Sequence, residues 1–135
     1  GKGSRMHSDT AKPLHTISGK PMINWVIEAA ETAGIQNKII VIPENNKDFK
    51  EISKSNKTVI QKHPLGTGDA VKKATTSLQN FDGLILVCFA DTPFIKTESL
   101  TKIINTLILC NITTHLKIET QFDLNVILMQ LLLQL

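Results

Sequence analysis

The fold class is set most clearly by residues 84–93, which read LILVCFADTP. Seven consecutive apolar residues are typical of a strand buried on both faces, as strands of parallel sheets are. The run therefore predicts a central strand of a parallel sheet. Asp91 follows this strand directly, so we expect its carboxylate at the carboxyl edge of the sheet, where open α/β sheets bind ligands.

Helix and strand patterns alternate along the rest of residues 1–107. Pro21 opens a helix that Gly34 terminates, and KIIVI at 38–42 predicts a buried strand closed by Pro43. Further predicted elements are a polar helix over 45–55 with Phe49 and Ile52 inward, a strand over 58–61, a helix over 67–78 capped by Thr67, and a helix over 97–107. This alternation predicts an α/β fold with a doubly wound, mostly parallel sheet.

The bulk composition fits one modest domain with a small anionic ligand. The chain has 135 residues, a net charge of +3 and 4% aromatic residues. Its lysines are spread rather than clustered, which argues against a nucleic-acid surface. Cys88 and Cys110 match no disulfide or zinc framework, so a reducing cytoplasm is the expected compartment.

Neither end of the chain carries a membrane signal. Residues 1–10 are polar and lack the apolar stretch of a signal peptide, and the apolar run 126–135 is too short to span a bilayer. We therefore expect no membrane partner, and the oligomeric state stays open. The first residue is Gly1 rather than Met, which predicts that the natural chain is longer.

The first residues, GKGSRM at 1–6, form a basic glycine-rich loop. Glycines let the backbone approach phosphates, Arg5 can bind phosphate oxygens bidentately, and Lys12 supplies a mobile positive charge. Met6 replaces the third glycine of a dinucleotide fingerprint, and Pro21 after Gly19-Lys20 excludes a P-loop. Taken alone, this loop is equally consistent with a solvated basic turn.

Two later segments strengthen the interpretation. LGTGDA at 65–70 is a glycine turn leading into a helix, which could hold a base or sugar, although by itself it is an ordinary loop. Asp91 suits Mg²⁺, which prefers one or two carboxylates plus substrate phosphates. The alternative role for Asp91 is to cap the turn before Pro93.

In this order the segments resemble the uridylyltransferase domain of the bacterial bifunctional enzymes that make UDP-N-acetylglucosamine. The matching positions are GKGSRM at 1–6, Ser8-Asp9, Lys12, Leu14-His15, GKPM at 19–22, Gln61, LGTG at 65–68 and DTP at 91–93. The resemblance implies a Rossmann-like fold. It also implies the reaction of UTP with N-acetylglucosamine 1-phosphate, which releases pyrophosphate.

The resemblance also implies roles for individual residues. Arg5 and Lys12 would be the catalytic groups at the phosphates, and Asp91 would bind Mg²⁺. The remaining nucleotide-binding positions would be Gly1, Lys2, Gly3, Ser4, Gln61, Gly66 and Thr67, the last three at the uridine moiety. Catalysis in such enzymes rests on positioning and charge neutralisation, without a covalent enzyme intermediate.

The chain also departs from the family pattern. Three parts of the family pattern have no counterpart in this sequence. They are the first strand before the glycine loop, the sugar-binding half beyond residue 107 and the acetyltransferase repeats. Pro64 replaces a glutamine near the base, and Ala90 replaces the glycine before Asp91. We therefore expect an incomplete sheet and a truncated, inactive enzyme.

From about residue 108 the composition changes. All seven glycines lie at or before Gly83 and all five prolines at or before Pro93. One interpretation is an amphipathic helix packed on the sheet. The favoured one is an out-of-frame segment, which divides the chain into a partial nucleotidyltransferase domain at 1–107 and an unrelated tail at 108–135.

Three functional hypotheses remain open on this basis. The first is a uridylyltransferase, and the second is a non-catalytic remnant that at most binds nucleotide. The third is another nucleotidyltransferase, of the cytidylyl or molybdopterin type. The LGTG turn at 65–68 and GKPM at 19–22 favour the uridylyl family.

Overall fold

The structure is a computed structural model that describes residues 8, 10–45, 47–63, 65–78, 81, 83–114 and 123–129. In chain order its elements are β1 (Thr16–Ile17), β2 (Lys20–Pro21), α1 (Met22–Thr32), β3 (Asn37–Pro43), α2 (Lys50–Ser55), β4 (Lys57–Gln61), α3 (Thr67–Thr75), β5 (Gly83–Phe89), α4 (Thr97–Thr114) and β6 (Asp123–Met129). Short 3₁₀ turns cover Lys12–Leu14 and Lys47–Phe49. None of the described helices is both long and apolar enough to cross a membrane.

The main sheet has the strand order β4-β3-β6-β5, and every neighbouring pair is parallel. Alternate residues of a strand face opposite sides, and both sides of β3 are covered. On one side Ile40 and Ile42 join the main core cluster, to which α1 and α4 contribute. On the other side Ile39 and Val41 pack with Ala70 and Ala74 of α3. The predicted α/β fold with a doubly wound parallel sheet is confirmed.

Several local predictions also hold. Pro21 immediately precedes α1, and Gly34 follows the helix with φ +88°. Phe49 and Ile52 are both buried, although a 3₁₀ turn and the short helix α2 replace one continuous helix.

The expected cap of α3 is wrong. Gly66 is the N-cap residue, and no side chain caps this helix, whose first residue is Thr67. Gly66 adopts φ +97°, a conformation that glycine enters without a steric penalty. The helix therefore begins after a glycine turn, and the Thr67 hydroxyl does not cap it.

The prediction that the apolar run at 84–90 is a central strand is also wrong. Its strand, β5, lies at the edge of the described sheet, because β6 lies between it and β3. Ile85, Val87 and Phe89, on one face of β5, remain 36–38% exposed. A continuous apolar run indicates a strand but does not indicate which segment pairs beside it.

β6 lies within residues 108–135, which the sequence predicted to be an unrelated tail. Ile127 pairs with Ile39 on one side and with Val87 on the other, so β6 is an interior strand. Helix α4 also continues past residue 107, to Thr114. The helical interpretation of the segment thus applies to its first seven residues, whereas 123–129 form a strand. The division of the chain into a domain at 1–107 and an unrelated tail at 108–135 stays a prediction. The pairing of β6 shows where residues 123–129 lie, but it does not test whether they are out of frame.

Proline at position 127 tests this placement of β6. Every N–H of an interior strand faces a paired neighbour, so Ile127→Pro removes a ladder hydrogen bond whichever way that N–H points. We expect it to lower the free energy of unfolding by about 1–3 kcal/mol more than Ile127→Ala does, because a backbone carbonyl of the neighbouring strand loses its partner. Urea unfolding followed by circular dichroism measures the difference. Equal stability of the two variants would contradict an interior β6.

Candidate functional site

Lys12 is held at the surface by the hydrophobic anchoring of its neighbours. It is the first residue of the 3₁₀ turn, in which Pro13 is buried. Ala11 and Leu14 pack against the main core cluster. The backbone of Lys12 is therefore fixed, while its side chain remains 43% exposed.

The Lys12 ammonium forms an ion pair with Asp91. Lys12 Nζ donates to Asp91 Oδ2 over 2.8 Å, and the two residues are 79 positions apart in the chain. The Asp91 side chain is only 9% exposed, so its charge is largely withdrawn from water and needs a partner. In the described residues Lys12 supplies that partner.

Asp91 lies where the sequence predicted, just beyond the carboxyl end of β5. Ala90 before it is fully buried in the main core cluster, which anchors this end of the strand. Thr92 Oγ1 donates to Phe89 O over 2.7 Å and tightens the turn that follows. The carboxylate is thus presented from a rigid strand end rather than from a free loop.

The surroundings of Asp91 suit a metal that is carried by a substrate. Across the described part of the chain, no cluster of three or more histidine, cysteine, aspartate or glutamate side chains could form a protein-only metal site. Mg²⁺ usually takes one or two protein carboxylates and completes its shell with substrate phosphates and water. A single recessed carboxylate at a sheet edge fits that mode of binding.

A second polar cluster surrounds Gln61, the last residue of β4. Gln61 is 6% exposed, and its Nε2 donates to Asp69 Oδ2 over 2.8 Å and to Gly66 O over 3.3 Å. The side chain therefore ties the end of β4 to the turn that begins α3. Asp69 lies within LGTGDA at 65–70, but nothing in the local sequence pattern indicated a functional role for it.

The turn at Gly66 leaves open space above the backbone. A Cβ atom added at Gly66 or at Gly68 would meet no heavy atom within 4 Å. Thr67, between them, is exposed. This surface is therefore accessible at the same edge of the sheet as Asp91.

An open cavity of about 710 Å³ lies beside Asp91, between β5 and α4. Among the described residues that line it, Asp91 is the one charged side chain, and the others are mostly apolar. Cys88, also in this lining, is buried, and desolvation raises the pKa of its thiol. The thiol is therefore kept neutral and suits packing rather than nucleophilic chemistry.

The structure brings together some of the expected site residues and leaves others aside. Lys12 contacts Asp91, and Gln61 contacts Gly66, whose neighbour is Thr67. The expected positions Gly1, Lys2, Gly3, Ser4 and Arg5, and the substituted Pro64, lie outside the described residues.

Residues 1–114 match the family described as the MobA-like NTP transferase domain, so the chain belongs to this family of nucleotidyltransferases. Its sequence is similar to the bifunctional protein GlmU of several bacteria, as the resemblance implied. It is 37% identical over 103 residues to that of Geobacter metallireducens and 39% identical over 106 residues to that of Thermoanaerobacter pseudethanolicus. With the GlmU of Clostridium botulinum it shares 38% over 108 residues.

The matched region covers only part of these relatives. It includes 74–78% of this chain but only 22–24% of each of those three proteins. The chain therefore spans less than a quarter of the length of the relatives it matches. Membership of the nucleotidyltransferase family applies to that shared region.

Proposed function

We propose that the chain is the UTP-binding part of a sugar-1-phosphate uridylyltransferase that uses Mg²⁺. The observation that carries the proposal is the Lys12–Asp91 ion pair at the carboxyl edge of the sheet. An ammonium group suits phosphate oxygens, and a recessed carboxylate suits the cation that accompanies them. The family match and the similarity to GlmU proteins support the same assignment.

The spacing of the two polar clusters suits a nucleoside triphosphate. Gln61 ends β4 and Asp91 follows β5, with β3 and β6 between those strands. Three strand spacings amount to roughly 14 Å, which is of the order of an extended nucleoside triphosphate. The base would lie at the Gly66 turn and the phosphates at Lys12.

In the proposed reaction, a phosphate oxygen of N-acetylglucosamine 1-phosphate attacks the α-phosphorus of UTP. A new oxygen–phosphorus bond forms as the bond to the β-phosphate breaks, and pyrophosphate leaves with the electron pair. Lys12 neutralises charge that builds on the phosphates, and we assign Arg5 the same task. Bound Mg²⁺, held by Asp91, would supply further charge neutralisation at the leaving group.

The ion pair gives nucleotide and metal binding a mutual dependence. Lys12 neutralises the phosphates less well while it is paired with Asp91, and a cation that binds Asp91 Oδ2 has to displace Lys12 from that oxygen. When the nucleotide draws Lys12 away, the buried carboxylate needs a replacement cation. Each ligand therefore favours the binding of the other.

A second candidate function is nucleotide binding without transfer. It is favoured by the cavity beside Asp91, whose mostly apolar lining does not suit a sugar phosphate. For the 135-residue chain we expect this second behaviour. Cytidylyl and molybdopterin-type chemistry remain alternatives, which competition between nucleotides distinguishes.

Asp91→Asn should change UTP affinity in opposite directions with and without metal. With Mg²⁺ the variant should bind UTP more weakly, because the cation loses its carboxylate. In EDTA it should bind UTP about fivefold more tightly than the unaltered protein, because Lys12 is released to the phosphates. Isothermal titration calorimetry under both conditions measures the two changes.

The matched control for this experiment is Glu51→Gln. It removes the same negative charge from an exposed ion pair with Lys54, on the surface of α2. We expect it to leave UTP affinity nearly unchanged under both conditions. If Asp91→Asn bound UTP in EDTA no better than this control, the exchange of partners would be refuted.

We also expect the 135-residue chain to form no measurable UDP-N-acetylglucosamine. The described side chains that line the cavity include few groups that could hold the attacking sugar phosphate. A coupled pyrophosphate assay with UTP, Mg²⁺ and N-acetylglucosamine 1-phosphate tests this, with added pyrophosphate as the positive control. Sugar-dependent release of pyrophosphate would establish the transferase and exclude the binding-only alternative.

A further inference from the structure

Gln61 is a buried amide whose two N–H groups already have partners. One donates to Asp69 Oδ2 at 2.8 Å and the other to Gly66 O at 3.3 Å. A primary amide has only these two donors, so its nitrogen is fully used. Among the described residues no donor reaches Gln61 Oε1, which is left as the free hydrogen-bonding atom of the side chain.

Asp69 determines which end of the amide is free. An ionised carboxylate only accepts hydrogen bonds, so a flipped amide would bring Oε1 against Asp69 Oδ2 and lose the 2.8 Å bond. The carbonyl of Gly66 disfavours the flipped amide for the same reason, because it also only accepts. Both neighbours therefore hold Gln61 in one orientation, and Asp69 does so with a full charge.

We propose that Asp69 is a specificity-determining residue, which orients Gln61 so that it offers the nucleobase an acceptor only. Such a group favours a pyrimidine with a ring N–H, as uracil has at N3, over cytosine, whose N3 is itself an acceptor. The inference rests on the proposed function, because it assumes that the base lies at the Gly66 turn. Asp69 acts through Gln61 and is therefore a positioning residue.

The mismatch with cytosine is costly at this position. Gln61 is 6% exposed, so an unpaired acceptor facing another acceptor has little access to water. Sites that present a buried polar group discriminate strongly against a ligand that leaves the group unpaired. We expect the unaltered protein to bind UTP at least about tenfold more tightly than CTP.

Asp69→Asn tests the orientation directly. The asparagine amide can donate as well as accept, so only the longer contact with Gly66 O then opposes a flip, and Gln61 can present either end. We expect UTP to be favoured over CTP by less than about threefold in this variant, measured by calorimetry with Mg²⁺. If Asp69 had a purely structural role, the variant would instead bind both nucleotides more weakly to the same extent. The ratio of UTP affinity to CTP affinity would then stay unchanged, which would overturn the inference.

Two further variants separate the effect from charge and from general damage. Asp48→Asn removes an equivalent charge from an exposed residue of a 3₁₀ turn and should keep the preference for UTP. The double variant Gln61→Met, Asp69→Asn should have the same ratio of UTP affinity to CTP affinity as Gln61→Met alone. A further change of that ratio would show that Asp69 acts independently of Gln61 and would overturn the inference.

A measurement on the unaltered protein covers the case in which Asp69→Asn fails to fold. The Gln61 side-chain carbonyl carbon, followed by NMR, should shift when UTP is added and should shift much less with CTP. Equal affinity for UTP and CTP would overturn the inference while leaving nucleotide binding intact. If neither nucleotide bound in the presence of Mg²⁺, the proposed function would fail, and the inference with it.

Discussion

The parallel direction of β3, β4, β5 and β6 is the constraint on which the site depends. Because the strands run the same way, their carboxyl ends meet at one edge, and residues distant in the chain become neighbours across it. Gln61 ends one outer strand and Asp91 follows the other. The hydrophobic core on both faces holds these strand ends in place.

Both acidic residues of the candidate site are already engaged. Asp91 holds the ammonium of Lys12, and Asp69 holds the amide of Gln61. The two contacts differ in what a ligand must do. In the proposed binding mode, a nucleotide draws Lys12 away from the first contact, whereas it uses the second as it stands. At the phosphate end of the proposed site, contacts with phosphate and Mg²⁺ would therefore replace the Lys12–Asp91 ion pair. At the base end, Gln61 is already oriented for the ligand.

Local sequence patterns predicted those features that depend on neighbours in the chain. The apolar run before Asp91 predicted a strand and placed the Asp91 carboxylate at its carboxyl end. The pattern at 45–55 correctly assigned Phe49 and Ile52 to the core. The order of strands was beyond such patterns, because β6 arrives from residues 123–129 and displaces β5 to the edge. The N-cap of α3 was also predicted wrongly. It is Gly66, with a positive φ, and no threonine hydroxyl caps the helix.

The candidate site could be proposed from the sequence as a set of residues but not as a set of contacts. A family resemblance named Lys12, Gln61, Gly66 and Asp91 without indicating which of them touch. The Lys12–Asp91 pair joins positions 79 residues apart, so it depends on the complete packing of the sheet. Asp69 had no visible signal, because an acidic residue in the first turn of a helix is ordinary by itself.

The most direct test of the account is a crystal structure of the chain with UTP and Mn²⁺, the latter located by anomalous diffraction. The account predicts Mn²⁺ on Asp91, Lys12 on a phosphate oxygen and the uracil ring beside Gln61. An intact Lys12–Asp91 pair with the nucleotide bound elsewhere would contradict it.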